Sequence, residues 1–372
     1  MTELQGSLQR TKAHLCYSCG RCTAHCPVVR VGASESPREM IERAMGKKDL
    51  TNDELVWNCL TCKLCQNYCP EDVDFIGFIR DVRGIARDNG GKPEYTHGEM
   101  MQTMARIIAS GKFRQNKLGW LDKSKVSKDG EVALWIGCAP YVDTALKDVG
   151  SDQVQITQSA IDVLNKLGIK PRILDNEVCC GHDMLWIGEN DTFEELRDKN
   201  LEVLSKSGIS KLVFTCPEGY EVMKNHYPDV GVELAHISEV VSDHVDEGKA
   251  TFKPYEARIT YQDPCRLGRF LGIYDQPRKV LEQIPGIELV EMERIRSRSR
   301  CCGVSAWINC NQNSKKMQLQ RLDEAVNAAP TLVTNCPKCI THFNCVKNEN
   351  GFEKEIEFKD WTVIVSQTLR GV

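Results

Sequence analysis

The sequence predicts a multidomain chain of mixed class, α+β joined to α/β: a helical amino-terminal domain followed by two homologous α/β repeats with parallel-type sheets. Three observations predict it. The run C-x2-C-x2-C-x3-C-P is written twice between Cys16 and Pro70. The triplet Cys-Cys-Gly recurs 122 residues on, from Cys179 to Cys301, inside a longer internal repeat. From about residue 131, apolar runs rich in Val and Ile alternate with helical patterns, as in strands covered by helices.

A length of 372 residues suffices for roughly two or three domains with their own cores. The formal net charge of -4 carries no footprint for nucleic acid or for an anionic membrane. The anomaly is cysteine, at 19 residues. "MTELQGSLQRTKAHLC" offers no apolar segment ahead of the first of them, so the thiols are expected to stay reduced in a cytoplasm. Charges interrupt every apolar stretch before it reaches membrane-spanning length. Work at a membrane would therefore need a partner to hold the chain there.

"CYSCGRCTAHCP" supplies Cys16, Cys19, Cys22 and Cys26; "CLTCKLCQNYCP" supplies Cys59, Cys62, Cys65 and Cys69. This is the bacterial ferredoxin spacing. Three thiolates on one short loop wrap three irons of a cubane, while the fourth, where proline stops the loop, reaches the neighbouring cluster. One 4Fe-4S cluster is thus expected on Cys16, Cys19, Cys22 and Cys69, and the other on Cys59, Cys62, Cys65 and Cys26. Zinc needs only four tetrahedral ligands and favours separated C-x2-C pairs, a pattern these eight cysteines do not follow. Between the runs, Ser36 before Pro37 and Glu39 reads as a helix start, with Met40, Ile41 and Met45 spaced for a buried face. "FIGFIRDVRGIARDNG" reads as a second amphipathic helix.

Residues 1–110 are accordingly read as the helical two-cluster domain. Residues 111–130, polar and lysine-rich, are read as a linker with a solvated surface. Residues 131–250 and 251–372 form the two repeats. "EVALWIGC" answers to "ARITYQDPC", "KLVFTCPEGY" to "TLVTNCPKCI", and "VELAHISEVVSD" to "IEFKDWTVIVSQ". The offsets at the cysteines are 127, 122 and 120 residues. Neither G-x-G-x-x-G nor G-x-x-x-x-G-K-[ST] occurs, which leaves no usual loop for a dinucleotide or a nucleoside triphosphate.

The second repeat carries Cys265, Cys301, Cys302, Cys336 and Cys339, one thiol more than a tetrahedral metal or a cubane needs. A surplus thiolate points to an unusual cluster in which one sulfur bridges. Neighbouring side chains can aim at one cluster only where the backbone turns sharply, and Gly303 permits that turn. The first repeat has Cys138, Cys179, Cys180 and Cys216, but Gly219 stands where a fifth cysteine would. Four thiols could hold zinc, a further cluster or nothing, with His182 as a stand-in ligand or, as the blander reading, a local hydrogen-bonding residue.

On these motifs the sequence resembles the family carrying the cysteine-rich CCG domain, whose best-known members are the iron-sulfur subunits of heterodisulfide reductase. A two-cubane ferredoxin domain ahead of two CCG repeats is similar to the layout of the D subunit, over nearly the whole chain. The resemblance implies a noncubane 4Fe-4S cluster on Cys265, Cys301, Cys302, Cys336 and Cys339, with Cys301 and Cys302 at a catalytic site where a disulfide is cleaved in two one-electron steps. The incomplete first motif departs from that pattern. It resembles instead the iron-sulfur subunits of glycolate oxidase, anaerobic glycerol-3-phosphate dehydrogenase, the sulfite-reduction membrane complex and class II benzoyl-CoA reductases, which look like relays. The implied function is an electron-transfer subunit of an oxidoreductase complex in an anaerobic cell, partnered by a flavoprotein, a cytochrome or a further iron-sulfur subunit. Arg294, Arg296, Arg298 and Arg300 read as a solvated loop whose charge favours a reduced cluster. Cys310 and Cys345 read as buried free thiols, and "WTVIVSQTL" as a packed helix.

Overall fold

A computed structural model describes residues 2–33, 36–112, 115–349, 352 and 354–371. The chain divides into two compact units that do not follow chain order: Met1–Arg106 with Gly181–Glu194 and Ser297–Arg321, and Ile107–Cys180 with Glu195–Arg296 and Leu322–Val372.

The first unit is helical. Ser36 caps the helix Pro37–Met45 by accepting from the Glu39 N–H, as its sequence predicts. The buried face of that helix is Met40, Ile41 and Ala44. Met45 is a correction: it is 47% exposed, because it lies one residue past the i+4 position that stacks under Met40. The helix Phe75–Asp88 starts at Asp74, whose carboxylate accepts from the Gly77 N–H at 3.0 Å. It buries Phe75, Ile76, Phe78, Ile79 and Val82 on one side. At Gly84 it meets the turn after the short helix His182–Trp186. A Cβ on Gly188 would sit 2.5 Å from the Gly84 nitrogen, so this backbone approach requires glycine.

Arg83 lies wholly buried beside it. Its guanidinium donates to the carbonyls of Val56, Trp57, Cys59 and Trp186 at 2.8, 3.2, 2.6 and 2.5 Å. Four carbonyls thus replace the water that a buried cation would otherwise lose. Glu189 adds a second clamp by pairing with Arg87 at 2.8 Å and Arg106 at 2.7 Å.

The second unit holds two parallel sheets. The first repeat contributes β1 (Val132–Trp135), β2 (Lys211–Phe214) and β3 (Glu233–His236), in the order β1-β2-β3. The second contributes β4 (Ala257–Gln262), β5 (Ile287–Leu289), β6 (Thr331–Thr334) and β7 (Glu357–Asp360), in the order β5-β4-β6-β7. Every pairing of these strands is parallel, with Leu134 opposite Val213 and Tyr261 opposite Val333. Parallel strands need covered crossovers, which is why helices follow them.

The repeats pack reciprocally. The helix Gln153–Lys166 of the first lies on Trp361–Thr368 of the second, and Ile237–Asp246 of the first on Asp275–Glu282 of the second. One core therefore serves both, from Leu134 and Val213 to Tyr261, Val333 and Trp361. The expected packed helix "WTVIVSQTL" is the last of these, with Trp361, Ile364 and Val365 buried. No helix among the described residues is long and apolar enough to cross a membrane.

Candidate metal centres

Two cavities of the first unit gather the eight amino-terminal cysteines. One is lined by Cys26, Cys59, Cys62 and Cys65 among Pro27, Met40 and Phe75. The other is lined by Cys16, Cys19, Cys22 and Cys69, with Cys65 at its edge. Each run thus lends its last cysteine to the other run's cavity. Pro27 opens the helix Pro27–Arg30, with Cys26 as its extended N-cap residue.

The surroundings of the two cavities differ. Cys19 is exposed, and Cys16 and Cys22 are half-buried, whereas Cys62 and Cys65 are buried. Burial pushes the Cys26 thiol up to about 12, with Cys62 and Cys59 adding to it and the backbone N–H groups of Val29 and Val28 opposing. Cys65 is raised well above the usual thiol range, again first by burial and then by Cys62, Cys59 and Cys26. Thiols so placed become thiolates only against a strong positive charge such as bound iron. Backbone donors are already aimed at the sulfurs: the Thr61 N–H reaches Cys59 Sγ at 3.4 Å, and the Arg38 N–H reaches Cys22.

The cysteines of the second repeat divide between the units. Cys301 and Cys302 belong to the first, and Cys265, Cys336 and Cys339 to the second. Cys301 and Cys302 are buried, and Gly303 after them has φ +90°. A Cβ there would lie 2.8 Å from the Ser314 carbonyl oxygen, so the turn expected of this glycine is enforced by packing as well. Cys336 caps the helix Pro337–Glu349, and the Cys339 N–H donates to Cys336 Sγ at 3.4 Å. Cys265 ends the segment after β4, where Asp263 holds Arg278 through two bonds of 2.7 and 2.9 Å.

In the first repeat Cys138, Cys179, Cys180 and Cys216 all lie in the second unit. Glu177 Oε1 accepts from the N–H groups of Ile136 and Gly137 at 2.8 and 2.7 Å and faces Lys117 Nζ at 3.3 Å. That buried pair ties the segment before Cys138 to the one before Cys179. Asn200 donates to the Cys179 carbonyl, and Tyr227 to that of Cys180. Cys216 is raised well above its usual range by burial first, then by Glu218, Cys336 and Cys138. The two repeats meet here, because Lys338 Nζ lies 2.5 Å from Glu218 Oε2 at matching positions of "CPKC" and "CPEG". A Cβ on Gly219 would touch Trp135 at 3.6 Å and Phe214 at 3.7 Å, two rings where the second repeat has Gln262 and Thr334. No three cysteine sulfurs lie mutually within 4.8 Å among the described residues.

Three smaller expectations change. Lys117, inside the expected solvated linker, is 5% exposed because Glu177 needs a cation. Cys310 is only partly buried, whereas Cys345 is buried and donates to Glu349 at 3.3 Å. Of the four arginines, Arg298 is exposed, while Arg296 pairs with Asp275, Arg294 with Glu293, and Arg300 donates to Gln320. His182 is buried and shares a 3.0 Å hydrogen bond with Asp183. Sequence reasoning missed Arg83, Glu177 and Thr61: the first two stand in no motif, and Thr61 fills a variable position of C-x2-C.

Comparison with known proteins agrees with this architecture. Residues 132–223 and 259–344 match the cysteine-rich domain family, and residues 12–73 match the 4Fe-4S dicluster domain. The chain is 30% identical to an uncharacterized iron-sulfur protein of Methanocaldococcus jannaschii, over 95% of this chain and 73% of that one. It is 25% identical to the D subunit of the dihydromethanophenazine:CoB–CoM heterodisulfide reductase of Methanosarcina acetivorans, over 98% and 95% respectively. It is 28% identical to the EtfAB:quinone oxidoreductase of Syntrophomonas wolfei, over 88% of this chain and only 54% of that protein. The cysteine order, the parallel repeats and these matches place the chain in the family of iron-sulfur proteins that join a 4Fe-4S dicluster domain to two cysteine-rich domains.

Proposed function

We propose that the chain is the iron-sulfur electron-transfer subunit of a heterodisulfide-reductase-like oxidoreductase complex, working between two cubane 4Fe-4S clusters and one noncubane 4Fe-4S cluster. Cys16, Cys19, Cys22 and Cys69 would hold one cubane, and Cys59, Cys62, Cys65 and Cys26 the other. Cys265, Cys301, Cys302, Cys336 and Cys339 would hold the noncubane cluster. The observation that carries this reading is the exchange of Cys26 and Cys69 between the two cavities, a pattern that a pair of interlocked cubanes calls for. When bound, such clusters take up and release electrons one at a time. The chain supplies N–H donors to Cys59, Cys26, Cys22 and Cys336, which offset charge on the sulfurs and favour the reduced state. Exposed Cys19 marks the side on which a flavoprotein, cytochrome or further iron-sulfur partner would exchange electrons.

A catalytic disulfide reductase at Cys301 and Cys302 is the second reading, favoured by the complete five-cysteine motif and by the likeness to the heterodisulfide reductase chain. Gly219, with Trp135 and Phe214 beside it, speaks for the relay, because a substrate split between two clusters would need a second complete site. In the first repeat, zinc on Cys138, Cys179, Cys180 and Cys216 is the alternative that metal analysis decides.

Metal analysis of anaerobically purified protein tests the proposal. About twelve irons per chain are expected from three four-iron clusters. About eight irons plus zinc would overturn it. Oxidation of the reduced clusters by an added thiol heterodisulfide would move the assignment to the reductase.

A further inference from the structure

We propose that Thr61 and Ser305 form the electron bridge between the ligand loop Cys59–Cys65 and the adjacent pair Cys301 and Cys302, so that this loop, rather than Cys16–Cys22, exchanges electrons with the CCG motif. The proposal rests on the reading above that both sets of thiolates hold clusters.

Thr61 sits between Leu60 and Cys62, and none of it reaches solvent. Its hydroxyl oxygen lies 3.0 Å from that of Ser305, which is 6% exposed and 244 residues away in the chain. Its N–H meanwhile donates to Cys59 Sγ at 3.4 Å. On the far side, Ser305 is three residues past Cys302, whose Sγ approaches the Val304 carbonyl oxygen at 3.9 Å. One covalent step from Cys62, one hydrogen bond and three residues of backbone therefore join the two ligand sets. The hydrogen bond closes the gap that a jump through space would have to cross.

The position is costly to build. Thr61 has φ +46°, an unfavourable region for a β-branched residue, and two hydroxyls are removed from water there. Ser18 occupies the same place in the first run with φ +62°, so the C-x2-C turn imposes the backbone in both. The side chains part company: the Ser18 hydroxyl donates to Glu42 at the exposed side. Further contacts hold the segment after Gly303 in place. Asn309 Nδ2 donates to Asn58 Oδ1 at 2.9 Å, next to Cys59. Gln102 donates to the Ala306 carbonyl at 2.9 Å, and the N–H and hydroxyl of Thr96 donate to that of Trp307 at 3.0 and 2.9 Å. The Ser305 oxygen is thus fixed to the Thr61 oxygen by contacts on either side.

The step moves one electron. Iron held by the Cys59–Cys65 loop is oxidised as iron held by the Cys301 and Cys302 motif is reduced, and no bond or proton changes place. Dithionite can supply the electron in a test on the full chain purified with its iron. Rapid-freeze EPR would follow the appearance of the second cluster signal after the first in wild type, Thr61→Val, Ser305→Ala and Thr61→Ser. The expected result is unchanged iron content and line shapes throughout, transfer slowed several-fold in Thr61→Val and Ser305→Ala, and wild-type transfer in Thr61→Ser. Unchanged transfer in both hydroxyl-deleting variants, with all signals present, overturns the bridge. Absence of the CCG signal from wild type overturns instead the reading on which the bridge rests.

Discussion

The two cysteine-rich repeats follow one plan and fill it differently. Both run strand, cysteine loop, Cys-Cys-Gly, strand, Cys-Pro helix and a final strand and helix, and they share a single core. Both open a helix directly after the Cys-Pro cysteine, and in the second the Cys339 N–H donates to Cys336 Sγ. Yet the first repeat has Trp135, Phe214 and Gly219 where the second has Gln262, Thr334 and Cys339. The fold is kept by strand registry and a common core, neither of which needs the fifth thiol. The two copies can therefore differ in their thiols while sharing one structure.

The sharpest way to break this comparison is at the fifth cysteine. On the proposed assignment, Cys339→Ser should remove the noncubane cluster and lower iron from about twelve to about eight per chain, read by metal analysis. Gly219→Cys should leave iron unchanged, because Trp135 and Phe214 border the place the new thiol would enter. A gain of four irons in Gly219→Cys would show that the missing thiol alone silenced the first site.

Next in size is the buried ion pair of Lys117 and Glu177, set beside the first cysteines of the first repeat. Lys117→Met should cost about 3–5 kcal/mol of stability in chemical denaturation, because it leaves the Glu177 carboxylate buried without its cation. The pair's counterpart in charge, Asp263 with Arg278, should respond to Arg278→Met in the same direction.

A third contrast is in pH. His236 and Asp360 end the last strand of their repeats and cap the helices that follow. Burial lowers His236 to about 4 and raises Asp360 to about 7. The folded state binds fewer protons at His236 than the unfolded state between about pH 4 and 6.5, so this group makes stability rise with pH there. It binds more at Asp360 between about pH 4 and 7, so that group makes stability fall. The slopes oppose each other, each worth at most about 3–4 kcal/mol across its window. Asp360→Asn should keep the cap and expose the rising slope, and His236→Asn should expose the falling one, both in denaturation midpoints measured from pH 4 to 7. A flat profile in both variants would mean that neither site is desolvated as described.

Much of this was legible in the chain itself. The two cysteine runs, the repeat offsets and the Ser36 cap each express a covalent spacing or a local preference, and local rules suffice to read them. Met45 failed because three apolar residues near one turn do not say which of them reaches the core. Lys117 failed because a lysine in a polar stretch looks solvated until its buried carboxylate, sixty residues on, is in place.

By itself the sequence determined the kinds of element, the parallel α/β repeats and the spacing of thiols, since helix period, strand period and cysteine spacing are properties of neighbours along the chain. Only the tertiary structure decided that Gly181–Glu194 and Ser297–Arg321 leave their repeats to pack with the cysteine runs, that Gly84 meets Gly188, and that Thr61 touches Ser305. Those contacts join residues about a hundred or more apart, and such pairings are set by which surfaces bury together rather than by any local period.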